Sequence, residues 1–408
     1  MAGPLQGVVV LDLSRILAGP WATQVLADFG AEVIKVEHPR GGDDTRRWGP
    51  PYLKDEAGRE TTESAYYLAA NRGKRSVAID LATVEGQSLV RRLATQADVL
   101  VENFKVGGLA RYGLAYDDLA SLNPRLVYLS ISAFGQDGPA AAEPGYDAMI
   151  QGMGGLMSLT GVPEGEPGAG PQKVGVAVAD LMCGMYGVAA VLAALNERRE
   201  SGRGQFIDLS LLDTQVAWLA NQNLNYLVSG EAPGRRGTAH PNIVPYQAFR
   251  TADGFLMLAV GNDAQFARFC AVAGVAELAA DPRFVTNQDR VAQRGELVPL
   301  IEAILRARTS AAWLADLREA RVPCGPINDL AQVFDEPQVR HRGLKLDLPH
   351  PLSGSVPGVR NPVLFSRSAL QYERPPPPLG ADTDEVLQQR LGLDPGAVAV
   401  LRSRGVVA

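Results

Sequence analysis

The sequence is poor in the patterns that mark metal centres, disulfide frameworks and several large enzyme classes. Its 408 residues include only three cysteines and four histidines, with no CxxC pair and no two histidines four residues apart. These counts exclude a disulfide-stapled scaffold, argue against a zinc site and indicate a reducing compartment. The patterns GxSxG, GxxxxGK[ST] and GxGxxG are also missing. A serine hydrolase, a P-loop NTPase and a dinucleotide-binding turn are therefore disfavoured.

Charge and hydropathy set further limits. Lys and Arg number 39 against 45 Asp and Glu, for a net charge of −6, and there is no long basic run. Nucleic acid is therefore not an expected partner. The N-terminal segment lacks the basic and apolar stretches of a signal peptide, and the most apolar stretch, 174–195, is interrupted by Asp180. We therefore expect a cytoplasmic protein with a buried helix at 174–195 and no membrane partner.

The first half of the sequence alternates strand and helix signals. β-branched runs that are typical of buried strands occur at 7–12, 32–37, 76–81, 98–102 and 126–132. Helical patterns lie between several of them, and further signals predict a helix at 174–200, a strand at 205–211 and a helix at 213–229. This alternation predicts an α/β fold with a parallel, doubly wound sheet.

After residue 229 the pattern changes. The segment 230–245 is rich in Gly and Pro, two strand-like runs flank 251–254, and 263–320 is mostly helical. A chain of 408 residues exceeds the usual size of one hydrophobic core. We therefore expect a second, smaller α+β domain that contains a hairpin.

Asp180 is the most unusual residue, because it lies within the apolar segment VGVAVADLMCGMYG. A carboxylate there is costly unless it is paired, hydrogen-bonded or functional. One interpretation is an Asp that caps a helix beginning at Leu181, and the other is a nucleophile. The two are compatible, since a helix N-terminus also keeps a carboxylate ionised.

Two short loops carry clustered cations. Arg46 and Arg47 lie in one, and Arg72, Lys74 and Arg75 lie in the other. Such groups suit phosphate or carboxylate ligands, but solvated loop faces carry similar clusters, so both interpretations stay open.

Several segments, taken in order, resemble the class III CoA-transferase (CaiB/BaiF) family. They include LDLSRILAGP, GAEVIKVEHPRGGDDTR, NRGKRSVAIDL, DVLVENF, GYDAM and VPCGPI. The resemblance covers essentially the whole chain. It implies that Asp180 attacks the thioester of an acyl-CoA to give an anhydride and then an aspartyl-CoA thioester. CoA would then be a substrate, and neither a permanent cofactor nor a metal would be needed.

The resemblance also implies an architecture and a CoA site. It implies an interlocked homodimer in which residues 1–225 and 329–408 form a Rossmann-like large domain and residues 226–328 form the smaller α+β middle domain. The positions that match CoA contacts of the family are Leu17, Ala18, His38, Arg75, Asn103, Phe104 and Arg111.

A closer similarity is to the succinyl-CoA:glutarate (hydroxymethylglutarate) branch of this family. The segments that show this similarity are GDDTR, RRGTAHPNIVPYQAF, EPQVRHRGL and RPPPPLG. This implies dicarboxylate substrates, and we predict that Arg46, Tyr146 and His240 bind the distal carboxylate. The oxalate branch has Gln where this chain has Leu17, so oxalate is disfavoured.

Two alternatives remain. An α-methylacyl-CoA racemase would share the fold, but it needs a His where this chain has Tyr146, and Tyr is a weak base near neutral pH. A non-catalytic acyl-CoA-binding protein would have no need of Asp180.

Overall fold

A six-stranded parallel sheet organises the first of two units into which the chain divides. The structure, a computed structural model, describes residues 2–408. The first unit comprises the chain up to residue 156, 173–231 and 340–408. The strands of its sheet are β1 (Val9–Asp12), β2 (Glu32–Glu37), β3 (Lys74–Ala78), β4 (Val99–Glu102), β5 (Val127–Ser132) and β6 (Phe206–Ser210).

The strand order predicts where a ligand binds. In space the strands follow the order β3-β2-β1-β4-β5-β6, and every neighbouring pair is parallel. The predicted parallel sheet is therefore confirmed. The chain leaves β1 toward β2 on one side and returns on its other side at β4. In open α/β sheets, ligands bind outside the carboxyl ends of the strands at such a switch point.

Helices cover both faces of the sheet. On one face α1 (Ala18–Asp28), α2 (Asp147–Met153) and α3 (Val178–Ser201) pack over a core that includes Val33 and Leu129. The other face is covered by Val84–Ala94, Thr383–Leu391 and Pro395–Ser403. The unit also contains the helices Ala65–Ala70, Tyr116–Ala120, Leu211–Trp218 and α4 (Asn221–Ser229), and the antiparallel pairs Tyr52–Lys54 with Glu60–Ser64 and Lys345–His350 with Gly354–Val359.

Local sequence fixes the ends of α1 and α3. Pro20 lies in the first turn of α1, where its missing N–H has no helical partner, and Gly30 follows that helix at φ +97°. Gly202 ends α3 and also takes a left-handed backbone conformation, with φ +71°. The two helices approach closely at Gly184 of α3, where a Cβ would lie 2.7 Å from the carbonyl oxygen of Ala18.

Within residues 2–408, α3 is the single helix that is long and apolar enough to cross a membrane. Its buried residues include Val188, Val191 and Ala194, which belong to the core on one face of the sheet. The predicted buried helix is therefore observed at this place, and it begins at Val178 rather than at 174.

The second unit comprises residues 157–172 and 232–339. Its three-stranded antiparallel sheet has the order Cys324–Pro326, Phe255–Ala259, Tyr246–Arg250, so the predicted hairpin is present. Its helices are Asp263–Val272, Asn287–Ala292, Arg294–Leu305, Ser310–Glu319 and Leu330–Asp335. The core contains Phe249, Phe266 and Trp313. The chain passes from one unit to the other within two short helices, Leu156–Leu159 and Pro337–His341.

Several details differ from the sequence-based expectations. The helix predicted over 213–229 is two helices, because Ala220 takes a positive φ of +48° between Trp218 and Asn221. The chain after Gly325 is less irregular than expected, since it forms a hairpin over 345–359 and a last helix, Pro395–Ser403. The segment 157–172 also lies in the second unit, whereas the predicted domain limits assign it to the first.

Candidate active site

The chain crosses the carboxyl ends of β1 and β4 in two loops that are tied together. The backbone N–H of Arg15, after β1, donates to Oδ1 of Asn103 at 2.8 Å. The Nδ2 of Asn103, after β4, donates to the Arg15 carbonyl oxygen at 2.8 Å. One amide side chain therefore fixes the β1–α1 turn to the neighbouring loop at the switch point of the sheet.

A cleft of about 220 Å³ opens between these loops and the start of α3. Leu17 is the N-cap of α1, and no side chain within residues 2–408 caps that helix. The N–H groups of its first turn have no partner inside the helix, so they provide donors at the cleft. The predicted residues that line this cleft are Leu17, Ala18, Asn103, Phe104, Tyr146 and Asp180.

Asp180 lies in the first turn of α3 and is half-buried. The pKa of its carboxyl is raised to about 7 by burial and, secondarily, by the nearby carboxylate of Asp147. Within the part of the chain that the structure describes, no hydrogen bond or ion pair to this carboxyl offsets these two effects. A carboxylate in this position is poorly solvated and unpaired, which is the condition of a reactive nucleophile.

The segment before Asp180 is held by α2. Oδ1 of Asp147 accepts a hydrogen bond from the Ala179 N–H at 2.8 Å, and its Oδ2 accepts one from Nε2 of Gln151 at 2.7 Å. Oε1 of Gln151 in turn accepts from the Val174 N–H at 2.9 Å. Asp147 therefore supplies the cap that α3 lacks locally, and Asp180 stays free.

A second, larger cleft of about 560 Å³ adjoins the first. The two share Arg15, Phe104 and Lys105. Three acidic residues that line it, Glu37, Asp43 and Asp80, are outnumbered by five basic ones: Arg15, His38, Arg40, Lys105 and Arg111. Of the predicted CoA-binding residues, the structure therefore brings His38, Phe104 and Arg111 together here. A basic cleft that leads to a carboxylate in a narrower one fits a ligand with phosphates at one end and a reactive group at the other.

The prediction that Arg75 binds CoA is corrected by the structure, which places this residue in a different cleft. That cleft lies at the amino ends of β2 and β3 and is also lined by Gly30 and Glu32. Arg75 pairs there with Glu32 at 2.9 Å and with Glu385 at 3.1 Å. Its position near the start of β3 points to structural ion pairs rather than to a ligand at the carboxyl ends of the strands.

Arg46 also differs from its predicted role. It is buried, and its guanidinium donates to Glu37 at 2.8 Å and to Glu63 at 2.8 Å. The hydroxyl of Tyr67 and the carbonyl oxygen of Pro377 accept further bonds from it. Because all three of its nitrogens already have protein acceptors, Arg46 has no free donor for the carboxylate of a substrate.

Tyr146 and His240 lie in different units. Tyr146 is exposed and lines the cleft with Asp180. His240 belongs to the second unit, where its Nδ1 accepts from the Asn242 N–H and its ring lies 5.2 Å from that of Tyr246. Burial and the charge of Arg294 lower the pKa of His240, so the neutral imidazole is favoured.

Sequence reasoning missed two cations that line the larger cleft, and an aromatic pair of which one member, Tyr66, lies near Asp180. Arg40 and Lys105 lie within two positions of His38 and Phe104, and their charge next to predicted contacts was the available signal. Trp48 and Tyr66 form an edge-to-face pair with ring centroids 5.2 Å apart. Burial raises the pKa of Tyr66, and the charge of Asp180 adds to it. Nothing local in the sequence indicates that Tyr66 lies near Asp180.

Several known proteins are similar to this chain over nearly its whole length. The model of CoA-transferase family III matches residues 5–383. A succinate–glutarate CoA-transferase of Agrobacterium fabrum is 52% identical over 386 residues, which is 95% of each chain. A succinyl-CoA:glutarate CoA-transferase of Homo sapiens is 43% identical over 99% of this chain and 90% of its own length. The crystal structure of a CaiB/BaiF family protein from Brucella suis matches with a TM-score of 0.85 and 48% identity, covering 96% of this chain and 100% of that one.

These matches cover nearly the whole chain and confirm the resemblance found in its motifs. Among residues 2–408 no group of three or more His, Cys, Asp or Glu side chains is placed to hold a metal ion. The chain belongs to CoA-transferase family III and is a CoA-transferase.

Proposed function

We propose that this enzyme moves CoA from succinyl-CoA to glutarate or a closely related dicarboxylate, with Asp180 as the covalent nucleophile. The observation that carries the proposal is the unpaired carboxylate of Asp180 in a cleft that continues into a basic one. The names of the relatives, succinate–glutarate and succinyl-CoA:glutarate CoA-transferase, support this choice of acids.

The donor half-reaction consists of two acyl transfers. An oxygen of Asp180 attacks the thioester carbon, the C–S bond breaks, and CoA leaves as its thiolate with a mixed anhydride on Asp180. The thiolate then attacks the aspartyl carbon of that anhydride, which releases succinate and forms the aspartyl-CoA thioester. No proton is gained or lost, so the step requires no general base.

The acceptor half-reaction is the reverse sequence with the second acid. Its carboxylate attacks the aspartyl thioester and displaces the thiolate, which then attacks the carbon of the acceptor acyl group. The new acyl-CoA leaves, and Asp180 is a carboxylate again. Each tetrahedral intermediate carries an oxyanion, and the N–H groups in the first turn of α1, which begins at Ala18 beside Asp180, are suited to stabilise it.

The proposed CoA site uses the two adjoining clefts. The phosphates of CoA bind to the basic lining that includes His38 and Arg111, and the pantetheine end passes Asn103 and Phe104 toward Leu17, Ala18 and Asp180. CoA is a substrate here and not a bound cofactor. For the distal carboxylate we propose Tyr146, which lines the cleft of Asp180. Arg46 is not part of the proposed site, because protein acceptors already take its donors.

Isotope labelling tests the covalent route. Glutarate labelled with ¹⁸O in both carboxylates is incubated with the enzyme and succinyl-CoA, and the peptide that contains Asp180 is analysed by mass spectrometry. The anhydride route replaces one oxygen of Asp180 by an ¹⁸O of glutarate in each turnover, and Asp180→Asn abolishes turnover. Turnover without label on Asp180 would overturn the mechanism. Exchange of the α-proton of an acyl-CoA with deuterium, without CoA transfer, would support the racemase alternative instead.

A panel of acids tests the substrates. With succinyl-CoA as donor, we expect kcat/KM for glutarate to exceed that for oxalate and for monocarboxylates, and the effect of Tyr146→Phe to fall mainly on dicarboxylates. Equal use of butyrate and glutarate would overturn the dicarboxylate assignment.

We also propose that the enzyme is a cytoplasmic homodimer that needs neither membrane nor nucleic acid. The three cysteines, which are unpaired in this chain, support a reducing compartment.

A further inference from the structure

The turn that connects β1 to α1 has a strained backbone. Ile16 takes φ +70°, a left-handed conformation that is costly for a β-branched side chain. Ile16 lines the cleft of Asp180 and is followed by Leu17 and Ala18 at the start of α1. A non-Gly residue in this conformation persists only when surrounding contacts hold it there.

The Asn103 amide holds Arg15 in this turn, and a second set of contacts comes from an ion pair beneath it. Both carboxylate oxygens of Asp43 lie 3.2 Å from the Ile16 backbone nitrogen, which donates to them. Asp43 pairs with Nζ of Lys35 at 2.9 Å, and neither side chain has any solvent exposure. Lys35 also donates to the carbonyl oxygen of Ser14 at 2.9 Å, so one ion pair binds the turn on both sides of Arg15.

The ion pair is itself fixed by its surroundings. Asp43 accepts hydrogen bonds from the N–H and the hydroxyl of Thr45, and its own N–H donates to Glu37 at 2.9 Å. Burial alone would raise the pKa of Asp43, but Lys35 and the Thr45 N–H hold it at about 2. The Asp43 carboxylate therefore stays charged well below neutral pH.

We propose that Asp43 and Lys35 are positioning residues for the acyl transfer, because their ion pair holds Ile16 in the left-handed conformation and so keeps the first turn of α1 facing Asp180. The inference rests on the proposed function of Asp180. Without the ion pair the turn relaxes toward a negative φ, and the N–H groups at the start of α1 move relative to the reacting carbon. A displacement of this kind lowers kcat more than the affinity for succinyl-CoA.

The test replaces the whole pair, so that no buried charge is left without a partner. The variant is Lys35→Met/Asp43→Ala. Its matched control is Arg72→Met/Asp28→Ala, which removes another buried ion pair of the same unit, 2.8 Å long, that does not contact the turn. We expect kcat to fall about 100-fold in the first variant, with a much smaller change in KM for succinyl-CoA. The control keeps kcat within about threefold of the unaltered enzyme when its Tm is lowered to a similar degree.

The substitution Ile16→Gly distinguishes a positioning role of the ion pair from a general role in stability. Glycine adopts the left-handed conformation without strain, so Ile16→Gly added to Lys35→Met/Asp43→Ala should restore kcat by about tenfold. Should the pair variant fail to fold, the single Asp43→Asn variant is used in the same way. Asparagine keeps one acceptor oxygen in place of two, so it cannot accept from both Lys35 and Thr45 as Asp43 does.

Equal losses of kcat in the pair variant and its control, at equal Tm, would overturn the inference. So would the absence of any gain from Ile16→Gly. An unaltered enzyme that folds and binds CoA but transfers none of it from succinyl-CoA to any acid would overturn the proposed function, and this inference with it.

Discussion

The arrangement that makes Asp180 reactive also makes it costly to the folded state. Burial and Asp147 raise the pKa of Asp180 to about 7 from its ordinary 3.8. The folded protein therefore holds this proton over a pH range in which the unfolded chain has lost it. The resulting loss of stability begins above about pH 4, grows as the pH rises through 7 and is then complete.

We predict that Asp180→Asn stabilises the protein while it abolishes transfer. The neutral amide avoids the cost of a buried, unpaired charge, so the free energy of unfolding at about pH 8 should rise by about 1–3 kcal/mol, and at about pH 4 by much less. Urea unfolding at the two pH values measures this difference. Glu166→Gln, in an exposed loop, is the control and should change neither value. If the free energy of unfolding rose equally at both pH values, the charge of Asp180 would not be the cause of the gain.

The same pKa predicts how activity depends on pH. Only the carboxylate form of Asp180 is nucleophilic, so kcat/KM should rise with pH and level off above about 7. Asp147 contributes to the raised pKa, so Asp147→Asn should move the midpoint of this rise to lower pH, even where kcat itself falls. Asp213→Asn removes an exposed carboxylate from another helix of the same unit and should leave the midpoint in place. An unshifted midpoint in Asp147→Asn would assign the raised pKa to burial alone.

For single side chains, the sequence indicates some roles and not others. Asp180 could be predicted because its apolar neighbours in the chain make a carboxylate there unusual. Arg46 and Arg75 could not be assigned in this way, because the groups that bind them, Glu63 and Glu385, come from other segments. A cation in a loop carries no local sign of whether it is already paired.

The elements were predictable where their limits are marked by neighbouring residues. Pro20 and Gly30 lie at the two ends of α1, and the structure ends that helix at Asp28. The hairpin Lys345–His350 with Gly354–Val359 was missed, because Pro349, Pro357 and two glycines interrupt any alternation of apolar and polar residues. The order of the strands is set by tertiary packing, and the alternation of elements indicates only that the sheet is parallel.

The contact between α1 and α3 is predicted to tolerate no added side chain. Gly184→Ala places a Cβ within 2.7 Å of the Ala18 carbonyl oxygen and 3.2 Å of the Trp21 ring. Because both helices begin at the cleft of Asp180, moving them apart should lower both stability and kcat. We expect a loss of about 1–3 kcal/mol in the free energy of unfolding, measured by urea denaturation, although alanine favours a helix.

Gly295→Ala is the matched control for this prediction. Gly295 lies in the helix Arg294–Leu305, and a Cβ there would meet nothing within 4 Å. Its replacement should stabilise the protein by about 0.5–1 kcal/mol through helix propensity alone. If both substitutions stabilised the protein equally, the close approach of α1 to α3 would be wrong.

The net charge of the entire chain is a poor guide to its ligand. The chain carries −6 overall, yet the larger cleft is lined by Arg15, Arg40, Lys105 and Arg111. Binding of an anion depends on the few cations that face it and on open backbone N–H groups, while the remaining charges are distributed over the surface.

The first unit also carries a helix with an exposed apolar face. The helix α4 exposes Leu224, Leu227 and Val228, which follow the three- and four-residue spacing of one helix face, and the latter two are 70% and 82% exposed. Neighbouring apolar side chains of this kind on a helix are typical of an interface. In the proposed homodimer each chain would cover this face of its partner.

We therefore expect the enzyme to have twice the mass of one chain in light scattering, and Leu227→Lys/Val228→Lys to lower it toward the mass of one. Two buried ammonium groups at an interface cost more than the apolar contacts they replace. Val84→Lys is the control, because Val84 is similarly exposed, at 72%, but lies on a different helix, and it should keep the doubled mass. Transfer activity that falls together with the mass would show that the active site needs both chains, whereas a monomeric parent enzyme would contradict the dimer itself.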